Sequence, residues 1–198
     1  LWLKGGGGAS GKGSVDKRLK KNGVMPNNIG EVNPDDIKEA IPEFEQIIRL
    51  GDARAAGVVH EESSMIAKAI EAEALSRQVD FIIDKVLADP VKAKKVVEKF
   101  KAAGFEIQFV GVTIPVEEAA IRAKTRAWNS GRFVPMKDLI TGHRNFAKVY
   151  REIEAMADSS MLFDNMPPEP VLLARRKKGG KFKIEHEAAW ADFLTKEK

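Results

Sequence analysis

A glycine-rich segment near the start of the chain has the residue types and spacing of a phosphate-binding loop. Gly6 is separated by four residues from the pair Gly11 and Lys12. In such loops the glycines let backbone N–H groups approach phosphate oxygens, the following helix N-terminus favours an anion, and the lysine adds positive charge. The predicted nucleotide-binding residues are Gly6, Gly7, Gly8, Ala9, Ser10, Gly11, Lys12, Gly13 and Ser14.

The residues on either side of this segment distinguish it from a flexible linker. Glycine runs followed by Ala-Ser are also typical of unstructured linkers, and short motifs occur by chance. Here the glycines lie between an apolar stretch, residues 1–3, and a short basic helix predicted for residues 15–21. This order of strand, glycine-rich loop and helix favours phosphate binding.

The residue after Lys12 departs from the usual loop pattern. This position normally holds Ser or Thr, whose hydroxyl binds magnesium, but the chain has Gly13. Ser14 is not a simple replacement, because the next helical position points about 100° away around the axis. A magnesium ion would need an extra water, a carboxylate, or a rearrangement that brings Ser14 or Ser10 close.

Two adjacent carboxylates, Asp35 and Asp36, follow a short strand candidate at residues 29–32. In an open α/β sheet, ligands bind where the strands end. An aspartate there can accept the proton of a substrate hydroxyl that attacks a γ-phosphate, and can help to bind magnesium. The alternative is that Asp35 or Asp36 caps a helix N-terminus.

Three arginines form a second candidate group. Arg122 and Arg126 are four residues apart and share one helix face, and the turn that follows can bring Arg132 to the same anion. Several guanidinium groups are suited to neutralising a phosphoryl group during transfer. The alternative is a solvated basic helix face paired with Glu117 and Glu118.

Strands alternate with helices along the rest of the chain, which predicts an α/β fold with a mostly parallel sheet. The hydrophobic periods predict helices at 63–77, 91–100, 135–157 and 187–194, with a further helix from Pro115. Strands are predicted at 79–83, where Asp84 ends the apolar run, and at 105–112, 161–163 and 171–174, with a hairpin turn at Gly179-Gly180.

Composition restricts the class of protein. A chain of 198 residues with 43% hydrophobic and 31% charged residues suits one globular domain, residues 1–198. The net charge of +4 is too small to indicate a nucleic-acid binder.

The absence of cysteine excludes thiolate chemistry and agrees with a reducing compartment, so we expect a cytoplasmic protein. No apolar run approaches the roughly 20 residues that cross a membrane. Because Leu1 lies inside a predicted strand, we expect further sequence upstream.

Two other polar features carry less weight. His60 precedes two glutamates and could join a substrate pocket, although a capping or surface role is favoured. The basic tract at 175–178, with Lys181 and Lys183, could contact RNA, DNA or a nucleotide phosphate. A solvated hairpin is favoured, because no aromatic residues alternate with these charges.

Taken in order, the motifs resemble the zeta-toxin family of P-loop kinases. The resemblance implies a P-loop NTPase fold, a three-layer α/β/α sandwich, in which ATP or GTP with Mg²⁺ donates its γ-phosphate to a hydroxyl. The best-known acceptor of the family is a UDP-linked amino sugar, and an antitoxin or an upstream fused domain is an expected partner. The motifs are residues 6–12, 33–38 followed by 41–44, the arginine-rich segment ending at 130–135, and 163–165.

The resemblance also implies roles for individual residues. Asp35 is similar to the catalytic base, Lys12 to the phosphate-binding lysine, and Arg126 and Arg132 to the arginines that clamp the transferred phosphate. Asp84 is similar to an acidic residue at the substrate and metal site. The metal candidates are thus Asp35 and Asp84, and the candidates for substrate binding are Lys38, His60, Asp84 and Arg122.

Two departures from the family pattern leave three functions open. Gly13 lacks the usual hydroxyl, and residues 85–88 replace the Gly-Thr pair and arginine with which family toxins engage the sugar nucleotide. The residues therefore leave the family's best-known substrate open, and the expected acceptor is a small molecule such as a nucleotide sugar or a nucleotide. The first hypothesis is a small-molecule kinase, the second a catalytically weakened nucleotide-binding module of a larger protein, and the third a polynucleotide 5′-kinase.

Overall fold

A computed structural model describes residues 1–52, 54–130, 133–166 and 168–197, and in these ranges seven strands form one sheet. The strands are β1 (Trp2–Gly5), β2 (Gly30–Val32), β3 (Phe81–Lys85), β4 (Gln108–Thr113), β5 (Ser159–Asp164), β6 (Val171–Arg176) and β7 (Lys183–Ile184). Their order in the sheet is β2-β3-β1-β4-β5-β6-β7. Neighbouring strands from β2 to β5 in this order are parallel, whereas β6 and β7 are antiparallel additions at one edge.

Helices connect the parallel strands, which confirms the predicted α/β fold with a mostly parallel sheet. The helices are α1 (Lys12–Lys21), α2 (Pro34–Ala40), α3 (Pro42–Arg49), α4 (Ala55–Val58), α5 (His60–Ser76), α6 (Pro90–Ala102), α7 (Val116–Ser130), α8 (Met136–Met156) and α9 (Glu187–Thr195). No helix in the described ranges is long and apolar enough to span a membrane.

The two faces of the sheet are covered by different helices, because side chains alternate along each strand. Leu1 and Leu3 pack in a core with residues of α5, α6, α8 and α9. Trp2 and Ile82 point to the other face and pack against Val15 and its neighbours on α1. The result is the expected three-layer α/β/α arrangement.

Some elements differ from the sequence prediction for identifiable reasons. Helices α3 and α4 were not predicted, since they are short and pack their apolar side chains in a small separate cluster around Phe44. Strand β4 begins at Gln108 rather than at 105, because the backbone N–H of Ile107 donates to the Asp158 carboxylate, at 2.8 Å. Strand β3 continues through Asp84 to Lys85. The predicted hairpin joins β6 to β7.

Candidate functional site

The loop between β1 and α1 requires glycine at three positions because of its neighbours. A Cβ atom at Gly6 would lie 2.4 Å from the backbone carbonyl oxygen of Val112. A Cβ atom at Gly7 would lie 2.3 Å from Cδ2 of His143. At Gly11 the backbone has φ +81°, and a Cβ atom would lie 2.0 Å from Nδ2 of Asn165. A larger residue at any of these positions would push the loop away from the groups beside it.

His143 and Asn165 hold this loop from the protein side. His143 Nε2 donates to the carbonyl of Gly8, at 2.8 Å. The Asn165 amide donates to the carbonyls of Ser10, at 2.9 Å, and Gly11, at 3.2 Å. Burial lowers the pKa of His143, which favours the neutral ring with its proton on Nε2.

Neither supporting residue was proposed as part of the site from the sequence. His143 falls within the helix predicted at 135–157, and Asn165 belongs to the family motif at 163–165. The available signal was weak: a histidine on the buried face of α8, and an amide just beyond the end of β5.

A cleft of about 420 Å³ opens beside the loop, at the carboxyl ends of the parallel strands. It brings together Lys12, Asp35, Asp84, Arg122 and Arg126, which lie on four different elements of the chain. The complete lining is Lys4, Ala9, Ser10, Gly11, Lys12, Gly13, Asp16, Glu31, Asn33, Asp35, Asp36, Asp84, Arg122 and Arg126.

Other candidate residues lie outside this lining. Lys38 contacts the cleft residue Asp35 without lining the cleft itself. Gly6, Gly7 and Gly8 form the rear part of the loop, and Ser14 is exposed on α1. His60 is exposed at the start of α5, where the structure does not bring it to the cleft. Arg132 lies outside the described residues.

Asp35 stands at the start of α2, and Asn33 supplies the side-chain cap of that helix. The Asn33 side-chain oxygen accepts from the backbone N–H of Asp35, at 3.0 Å. Within the described ranges, Lys38 donates to Oδ1 of the Asp35 carboxylate, at 3.2 Å, and the Arg126 guanidinium lies 3.9 Å from Oδ2. The capping function proposed for Asp35 or Asp36 is thus performed by Asn33.

The two arginines of α7 have different surroundings. Arg122 is held by Glu118, at 2.7 Å, and donates to the carbonyl of Asn165, at 3.0 Å. Its pairing with a glutamate was the structural alternative considered for this helix. Arg126 has a buried Nε without a hydrogen-bond partner in the described ranges.

Lys12 and Asp84 meet at the floor of the cleft. The Lys12 ammonium lies 3.2 Å from Oδ1 of Asp84 and donates to the carbonyl of Gly6, at 3.3 Å. Strand β3 neighbours β1 in the sheet, which is why a carboxylate near the end of β3 reaches the loop that follows β1.

A buried lysine, Lys4, completes this floor and was not singled out in the sequence. Its ammonium pairs with Asp16 of α1, with Glu31 of β2, at 2.7 Å, and with Asp84, at 3.3 Å. Burial alone would lower the pKa of Lys4, but the carboxylates together raise it above its ordinary value. Burial raises the pKa of Asp16, although Lys4 opposes this effect. The signal was a lysine in an otherwise apolar strand.

The arrangement suits a nucleotide with a metal ion bound through its phosphates. Ser10 Oγ, like Arg126 Nε, is buried without a hydrogen-bond partner in the described ranges, and both residues line the cleft. Phosphate oxygens can satisfy such groups. The described residues hold no group of three or more His, Asp or Glu arranged to bind a metal. Magnesium commonly uses one or two carboxylates together with substrate phosphates, and the carboxylates of Asp35 and Asp84 line the cleft.

The basic tract lies in the β6–β7 hairpin and is largely paired with carboxylates. Arg175 and Lys183 both contact Glu185, at 2.7 and 2.8 Å. Arg176 binds Glu154, at 2.6 Å, and Lys178 binds Glu106.

Comparison with solved structures identifies proteins with a similar fold. A chain of the AvrRxo1-ORF1:-ORF2 complex with ATP is similar over 100% of this chain, with a TM-score of 0.76 and 19% identity. A chain of the PezAT chromosomal toxin-antitoxin system of Streptococcus pneumoniae is similar over 82%, with a TM-score of 0.63 and 16% identity. The present chain spans 64% of the first of these structures and 66% of the second.

Sequence comparison identifies the family. No curated protein matches the chain in sequence. The family model described as Zeta toxin matches residues 1–167, which include every described part of the cleft. The chain belongs to the zeta toxin family.

Proposed function

We propose that the chain transfers the γ-phosphate of ATP or GTP to a hydroxyl group of a small molecule. The observation that supports this function most strongly is the convergence of Lys12, two arginines of α7 and the carboxylates of Asp35 and Asp84 on one cleft beside a phosphate-binding loop. Phosphoryl transfer depends mainly on positioning and on stabilising charge, and these residue types supply both.

The residues divide into two groups in this mechanism. The loop at 6–14 and Lys12 bind the β- and γ-phosphates, with the N-terminus of α1 adding a favourable field. Arg126, together with Arg122 and Arg132, stabilises the charge of the transferred group. Magnesium, when bound through the phosphates to Asp35 or Asp84, would neutralise part of this charge.

Asp35 is the proposed general base. It orients the acceptor hydroxyl and takes its proton as the oxygen attacks phosphorus. Lys38 donates to Oδ1 of Asp35, and Oδ2 lies on the side of Arg126. Lys38 and Arg122 are proposed as acceptor contacts, whereas the exposed position of His60 gives no support to its proposed role.

The wider setting is also part of the proposal. We treat residues 1–198 as one domain, active in the cytoplasm, where nucleoside triphosphates are available. An antitoxin or a fused domain is the proposed partner, because the similar structures come from a two-protein complex and a toxin-antitoxin system.

The test is mass spectrometry of a metabolite mixture incubated with ATP, Mg²⁺ and the protein. We expect a single compound to gain the mass of one phosphate with the wild type and not with Asp35→Asn. Asp36→Asn is the matched control, since Asp36 is the adjacent carboxylate and also lines the cleft. Tight ATP binding without any phosphorylated product would favour the weakened binding module, for which Gly13 is the specific observation. A phosphorylated oligonucleotide 5′ end in a parallel reaction would favour the polynucleotide kinase.

A further inference from the structure

Lys4 occupies a position that the strand pattern assigns to the core. Along β1, Trp2 packs against α1, and the alternation of side chains directs Lys4 to the same face. Lys4 is only 1% exposed. Burying an ammonium group costs several kcal/mol unless it is well paired, so its three carboxylate partners are required.

The partners of Lys4 connect it to the phosphate-binding loop through one shared carboxylate. Asp84 has Oδ2 3.3 Å from Lys4 and Oδ1 3.2 Å from Lys12. Lys4 and Asp84 are directly opposite each other on the neighbouring strands β1 and β3. The sheet therefore fixes the distance between them, whereas Lys12 is the first residue of the helix that follows the loop.

We propose that Lys4 is a positioning residue of the phosphate site, whose buried ammonium holds the Asp84 carboxylate and so leaves Lys12 available to phosphate oxygens. This proposal rests on the proposed nucleotide-dependent function. Without Lys4, the full charge of Asp84 would attract Lys12, and a phosphate would have to break a stronger ion pair in order to bind. A divalent cation at Asp84 would relieve this competition.

A double-mutant cycle between Lys4 and Asp84 tests the proposal. The ATP affinity of the wild type, the two single variants and the double variant is measured in the presence of Mg²⁺ and again with a chelator. Without Mg²⁺, Lys4→Met should weaken ATP binding about tenfold, which corresponds to about 1.4 kcal/mol. With Mg²⁺ the loss should be smaller. In the Asp84→Asn background the same Lys4→Met change should alter ATP affinity less than about twofold, because the carboxylate that competes for Lys12 has lost its charge.

Stability must be measured in parallel, because Lys4→Met also leaves Asp16 without its partner. Lys4→Met/Asp16→Asn removes one charge of each sign, so its thermal unfolding should be closer to that of the wild type. Its ATP affinity without Mg²⁺ should nevertheless stay low, since Asp84 still lacks Lys4. Glu31→Gln is the matched control, because it removes another partner of Lys4 and leaves the pair with Asp84.

The outcomes separate this proposal from the proposed function. An equal loss of affinity in both Asp84 backgrounds, or full recovery of ATP binding in Lys4→Met/Asp16→Asn, would overturn the role of Lys4 alone. A wild type that binds neither ATP nor GTP would overturn both proposals. A wild type that binds ATP but yields no phosphorylated product would overturn only the transfer reaction, because the cycle uses binding and needs no acceptor.

Discussion

Asp35 and Arg126 face each other across the cleft, with Oδ2 of the carboxylate 3.9 Å from the guanidinium. The separation is longer than a hydrogen bond, and Arg126 keeps a buried Nε without a partner in the described ranges. The cleft thus holds close together the two groups to which the proposed mechanism gives the roles of general base and charge stabilisation.

Arg126 should affect the transfer step more than nucleotide binding. Arg126→Gln is expected to lower kcat by about 10²–10³-fold, because a guanidinium that contacts the transferred group acts mainly in the transition state. The KM for ATP should change little. Arg122→Gln is the comparison, since Arg122 is tied to Glu118 and Asn165 and should act more on affinity. Steady-state kinetics measure both parameters. If the two variants changed kcat and the KM for ATP to the same relative extent, the predicted difference between Arg126 and Arg122 would be wrong.

Gly13→Ser should lower the Mg²⁺ concentration that the proposed reaction requires. A Cβ atom at Gly13 would meet nothing within 4 Å, so the serine fits without displacing a neighbour. Its hydroxyl would follow Lys12 directly, at the usual position of a metal ligand. The Mg²⁺ concentration for half-maximal activity should fall about tenfold, equivalent to about 1.4 kcal/mol. Ser14→Ala is the control: a large loss of Mg²⁺ affinity in that variant would mean that Ser14 already supplies the hydroxyl.

Asn165 should control the conformation of the phosphate-binding loop. Asn165→Ala removes two hydrogen bonds to loop carbonyls and should weaken ATP binding by about tenfold, with a lower unfolding temperature. Asn165→Asp should be worse, because a carboxylate of the same size would place an acceptor against two carbonyl acceptors. Calorimetry and thermal unfolding measure both effects. The prediction fails if Asn165→Asp binds ATP as well as the wild type.

Lys196 should make stability depend on pH above neutrality. Its ammonium donates to the Thr113 hydroxyl, at 2.5 Å, and the Ile114 carbonyl, at 2.6 Å, while Glu117, Asp164 and Asp192 are the acidic groups near it. Burial lowers the pKa of Lys196 from 10.5 to about 8 in spite of these carboxylates. Between these values the unfolded chain keeps a proton that the folded chain has released, so the free energy of unfolding rises with pH.

The measurement compares thermal unfolding of the wild type and Lys196→Met. From pH 7.5 to 9.5 the wild type should gain about 2 kcal/mol relative to the variant, or roughly 4–8 °C in Tm. Other groups titrate in the same range, but they do so in both proteins. A Tm difference that stays constant with pH would show that Lys196 has an ordinary pKa in the folded chain.

The contacts of Lys4 and Asn165 show why the sequence alone did not predict the whole site. The glycine spacing and Lys12 were visible because a phosphate-binding loop is a local structure. The contact between Lys4 and Asp84 was not visible, because it depends on β3 lying beside β1 in the sheet. Asn165 was equally hidden, since it reaches the loop from beyond the end of β5.

The sequence by itself determined the α/β class, the order of most strands and helices, and the phosphate-binding loop. All of these follow from hydrophobic periods and glycine spacing within short segments. Only the tertiary structure decided which charges meet: Asn33 rather than Asp35 caps α2, and Lys4 shares Asp84 with Lys12. The physical reason is that the energy of a charge depends on burial and on partners from distant segments, and strand order sets both.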